Sequence, residues 1–101
     1  MYVVEIFLPL RDNAGTAFAA SLFETEKARL VERFGGLTAY ARAPAQGLWD
    51  KDGQPVSDQI VIFEVMTETL DREWWTQYRG DLETRFRQNE ILIRASAVDR
   101  L

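Results

Sequence analysis

Four strands and two helices in the order β-α-β-β-α-β, an α+β fold, are predicted by three observations. Residues 2–9 (YVVEIFLP), 58–66 (DQIVIFEVM) and 91–98 (ILIRASAV) are dense in β-branched and aromatic residues. Two other stretches repeat apolar residues at helical steps, around Leu22 to Phe34 and around Trp74 to Phe86. Between the first helix and the central strand lies an alternating run, LTAYARA, introduced by Gly35-Gly36.

Each element has a local reason. Pro9 ends the first strand, and RDNAGT supplies a turn with capping candidates for a helix over 17–34, in which Phe18, Leu22, Phe23, Leu30 and Phe34 mark the apolar face. Gly35 and Gly36 follow that helix and precede a strand, the reverse of a phosphate-cradling loop, so one of them is expected at positive φ as the helix terminator. Residues 37–43 and 58–66 make a hairpin with a long connection, in which Gly53 and the Asp50/Asp52 pair read as turn chemistry. Trp49, at the base of that hairpin, belongs either to the chain's own core or to a pocket mouth or partner contact. Asp71 caps the second helix, where Trp74, Tyr78, Leu82 and Phe86 fall at four-residue steps; Trp74 is expected in the core and its neighbour Trp75 outside it.

This order is the split βαβ unit of a ferredoxin-like plait, with a four-stranded antiparallel sheet, both helices on one face, and strand order 4-1-3-2. Side chains alternate across a strand, so Val4, Ile6, Leu8, Phe63, Val65 and their counterparts on the edge strands should meet the helices. The opposite, open face then carries Val3, Glu5, Phe7, Thr38, Tyr40, Arg42, Ile60, Ile62, Glu64, Leu92, Arg94 and Ser96. About half of that set is apolar, more than a solvated face normally shows, and a second copy of the sheet is the expected cover, giving a homodimeric α+β barrel.

Composition limits the chemistry. The 101 residues are read as one ferredoxin-like domain, 1–101, with 47% hydrophobic and 28% charged residues. There is no Cys and no His, which removes disulfides, thiolate nucleophiles, the commonest metal ligand and the commonest general base. No metal and no cofactor are expected. The net charge of −4, with basic residues interleaved among acidic ones, argues against nucleic acid as a partner. RNA binding through the sheet would have only Phe7 and Tyr40 as stacking platforms. The absence of a long apolar run or a basic leader predicts no membrane association and a cytoplasmic address.

One polar constellation remains as a candidate site: Glu5, Tyr40, Arg42, Glu64 and Arg94. Cross-strand ion pairing explains it most simply. The alternative is a partly buried pocket in which Glu64 or Glu5 acts as base while Tyr40, Arg42, Arg94 and Trp49 hold a ligand.

F-G-G-L-T at 34–38, G-L-W at 47–49, D-Q-I-V-I-F-E-V at 58–65 and R-F-R-Q-N-E-I-L-I at 85–93 resemble a group of small uncharacterised bacterial proteins with the ferredoxin-like plait. The resemblance spans Tyr2 to Val98 and implies a fold without an agreed activity. More loosely, the chain resembles the dimeric α+β barrel superfamily, which includes cofactor-free monooxygenases and haem-dependent enzymes; the haem branch uses a proximal His, which this chain lacks. Two readings follow: a homodimeric domain that binds a small molecule or a protein through its open face, or a cofactor-free enzyme, a monooxygenase or isomerase of an aromatic or carboxylate substrate.

Overall fold

The structure is a computed structural model and describes residues 1–42 and 59–101. Its elements run β1 (Tyr2–Pro9), α1 (Ala20–Phe34), β2 (Thr38–Arg42), β3 (Ile60–Thr67), α2 (Arg72–Arg85) and β4 (Ile93–Ala97). They build one antiparallel sheet in the order β2-β3-β1-β4, an α+β ferredoxin-like fold. The expected element order and strand order both hold.

The core lies between the two central strands and the helices. Val4, Ile6 and Leu8 of β1 and Phe63 and Val65 of β3 are buried, as period-two alternation requires, against Leu30 of α1 and Trp75, Tyr78, Leu82 and Phe86 from α2 and its C-cap. Ala39 and Ala41 share their face but are exposed, because β2 is an edge strand beyond the reach of the helices.

Gly35 ends α1 at φ 80° and donates its N–H to the Val31 carbonyl, the terminating role expected of the glycine pair. Asp71 caps α2, accepting the Trp74 N–H at 3.1 Å. The start of α1 differs from expectation. Asp12 accepts the N–H groups of Ala14 and Thr16, which closes a turn of its own, so α1 begins three residues late, at Ala20, with no side-chain cap.

The two tryptophans exchange the expected roles. Trp75 is buried in the core and Trp74 only packs partly against it. A helix turns by about 100° per residue, so four-residue steps drift by about 40° each; two steps before Leu82, Trp74 has rotated about 80° away, whereas Trp75 lies within about 20°. Trp75 stacks on Phe34 with centroids 5.2 Å apart, and Trp74 lies on Tyr78 at 4.9 Å beneath the Arg33 guanidinium.

Candidate functional site

Strand register assembles the constellation on the open face. Glu5 of β1 stands opposite Arg94 on one side and Glu64 on the other, while Tyr40 on β2 lies opposite Ile62. Arg94 Nε donates to Glu5 Oε1 at 3.0 Å, and the Tyr40 hydroxyl reaches over β3 to donate to Glu5 Oε2 at 3.1 Å. The Arg94 guanidinium also lies 4.9 Å from the Phe7 ring centroid, a cation–π arrangement. Partial loss of water, the bond to Glu5 and the negative charges of Glu5 and Glu64 push the Tyr40 phenol above its ordinary value, with Arg94 opposing. The phenol is therefore a firm hydrogen-bond donor.

The two candidate bases differ in what holds them. Glu5 receives a donor on each carboxylate oxygen, which suits a structural anchor better than a proton acceptor. Glu64 sits directly opposite Glu5, a like-charge placement that costs stability, and no described side chain donates to it. Arg42 continues β2 opposite Ile60, so its backbone is on the expected strand. Trp49, with Gly53, Asp50 and Asp52, lies outside the described residues. Among the described residues no cluster of acidic side chains could hold a metal ion, and no helix is long and apolar enough to cross a membrane.

The accessible part of the open face mixes polar Thr38, Arg94 and Ser96 with large apolar groups. Tyr40, Met66 and Leu92 are 40%, 45% and 53% exposed, and a cavity of about 550 Å³ opens at the end of the sheet between Phe7, Ile60 and Leu92 and the polar Arg11, Asp12 and Glu90. Ile62 departs from expectation: flanked by Phe7 and Tyr40, it is only 2% exposed within its own chain and so has little surface to offer a partner.

A second polar cluster lies outside the expectations from sequence. Glu26 of α1 is fully buried, and Arg85 Nε and Nη2 donate to its two oxygens at 2.7 and 2.9 Å. The Tyr78 hydroxyl donates to the same carboxylate at 3.1 Å. Burial first, then the Glu26 charge and this bond, push the Tyr78 phenol far upward. The sequence holds a signal for it: Leu22, Glu26 and Leu30 share a four-residue spacing, so Glu26 falls on the apolar stripe.

No protein-family model matches the chain, and no curated protein matches it by sequence. The bacterial group of the sequence resemblance therefore gains no support from relatives. Similar folds occur among solved structures. A phage SAM lyase in complex with S-methyl-5′-thioadenosine has a TM-score of 0.63 at 16% identity, over 94% of this chain and 79% of the lyase. The apo phage SAM lyase gives 0.58 at 18%, over 94% and 78%. A point mutant of CutA1 from Pyrococcus horikoshii OT3 gives 0.57 at 14%, over 100% and 86%. At such identities the likeness is one of fold, and the chain is a small α+β protein with the ferredoxin-like arrangement.

Proposed function

We propose that the chain is a homodimeric binding domain whose open sheet face pairs with a second copy and encloses a small-molecule site. The exposure of Tyr40, Met66 and Leu92 on one sheet face carries this reading. Large apolar side chains left in water are costly, and a self-complementary sheet stack would remove these three, which are spread across the face from β2 to the β4 edge. The face also carries both charge signs, in Glu5, Glu64 and Arg94, as an interface that meets itself requires. The cavity beside Phe7, Ile60 and Leu92 would then become the wall of a shared chamber. Kinship with the uncharacterised bacterial group and with dimeric α+β barrels belongs to the same proposal.

Native mass spectrometry tests it. The expected result is a dimer, converted to a monomer by Leu92→Lys or Met66→Lys, both exposed enough to accept the charge without unfolding the chain. A wild-type monomer at micromolar concentration would sink the reading. SAM and S-methyl-5′-thioadenosine are the first small molecules to add, since the phage lyase of similar fold is named with them.

A second reading, a cofactor-free enzyme, is favoured by one observation: Glu64 stands across from Glu5, the acceptor of the Tyr40 and Arg94 donors, and no described side chain donates to Glu64 itself. In that reading Glu64 is the base, and Tyr40 and Arg94 orient the substrate anion. Glu64→Gln would then abolish turnover while leaving ligand affinity and dimer mass unchanged.

A further inference from the structure

The helix-covered side of the sheet holds another feature, distinct from the open face. Where α2 crosses the β4 edge, a groove of about 180 Å³ remains between them. Val4, Trp75 and Ile93 form its apolar floor, and Arg72, Thr76 and Arg79 line it along one stripe of α2 at steps of four and three. Among the described residues no carboxylate lies within ion-pair distance of Arg72 or Arg79, whereas Arg33, Arg85, Arg87 and Arg94 each have one. Arg94 borders the groove as well, but its guanidinium is engaged by Glu5. Arg11, Arg29 and Arg100 also have no carboxylate in ion-pair range among the described residues; what distinguishes Arg72 and Arg79 is that both border one groove with an apolar floor.

We propose that this groove binds a compact organic anion, a carboxylate with an aromatic or branched apolar body. The carboxylate would sit between Arg72 and Arg79, whose Cα atoms are about 10.5 Å apart along the helix, a gap that two long side chains close over Thr76. Guanidinium forks match carboxylate geometry, and the body of the ligand would exclude water from Trp75 and Ile93. The volume is smaller than the roughly 300–1,000 Å³ of drug-sized pockets, which sets the size class.

The test is a titration of the ¹⁵N-labelled protein with benzoate and with isovalerate, with benzamide as the neutral control. Saturable shifts at the Trp75 indole N–H and the Ile93 and Ala95 amides are expected with at least one of the carboxylates. The Arg72→Gln/Arg79→Gln variant and the benzamide control should each bind at least about tenfold more weakly, since two charge-assisted hydrogen bonds are lost. No saturable shift with either carboxylate, shifts centred elsewhere, or a smaller weakening in the variant or with benzamide would overturn the proposal. Neither arginine lies on the open face, so dimer mass and this titration fail independently.

Discussion

At the scale of single residues, the decisive side chain is Glu26. A carboxylate removed from water must be paired, and Arg85 and Tyr78 between them supply three donors. Breaking that pairing from either side is expected to cost about 3–5 kcal/mol. Arg85→Met should cost more than Glu26→Met, because Arg85 keeps 28% of its side chain in solvent and can rehydrate, while Glu26 keeps none. The double variant should recover much of the loss; chemical denaturation of the three proteins measures it. Tyr78 makes a separate prediction. Its phenol keeps its proton in the folded chain, whereas the unfolded chain begins to release it near pH 10. Folded Tyr78 thus binds more protons, so its contribution is complete below about pH 10 and declines as pH rises beyond it. Urea midpoints between pH 8 and 11 should fall less steeply in Tyr78→Phe than in wild type; parallel curves would remove the phenol from the explanation. The Glu5–Arg94 pair is legible in the sequence because alternation places both residues on one face. For Glu26 the spacing on the apolar stripe is readable but its pairing is not, because a charged residue in a helix ordinarily signals the wet side and the partner lies 59 residues away.

At the scale of elements, all six are readable from apolar periodicity, and the errors fall where a local pattern is incomplete. The start of α1 is displaced from its expected place because Asp12 spends its carboxylate on a turn. The two tryptophans are exchanged because four-residue steps follow a helix only approximately, and the drift grows with distance from Leu82. Trp75→Ala should therefore cost about 3–5 kcal/mol, the range for a large aromatic in a core. Trp74→Ala should cost about 1–2 kcal/mol, since it is only partly buried and loses mainly its contacts with Tyr78 and Arg33. Thermal melts of the two variants decide the assignment, and equal losses would contradict it.

At the scale of the molecule, the helices cover one side of the sheet, and among the described residues no element covers the other. That much follows from the element order alone. Which open-face residues remain available does not, because it depends on neighbours across strands: Ile62 has the composition of an interface residue and the burial of a core residue. If the open face is a dimer interface, the melting temperature should rise with protein concentration, and the rise should vanish in Leu92→Lys. A concentration-independent melt of the wild type would place the interface elsewhere or nowhere.

β1 pairs on both sides with strands that come later in the chain, β3 from Ile60 and β4 from Ile93. At ribosomal speeds of about 5–20 residues per second, roughly 3–10 s separate the synthesis of β1 from that of its first partner. For that interval YVVEIFLP is an apolar ribbon with two unpaired edges, and Glu5 is its only charge. The carboxylate that anchors Tyr40 and Arg94 in the finished sheet is thus also the nascent chain's guard against adhering to other strands, and its replacement by an apolar residue should lower soluble yield even where the folded protein tolerates it.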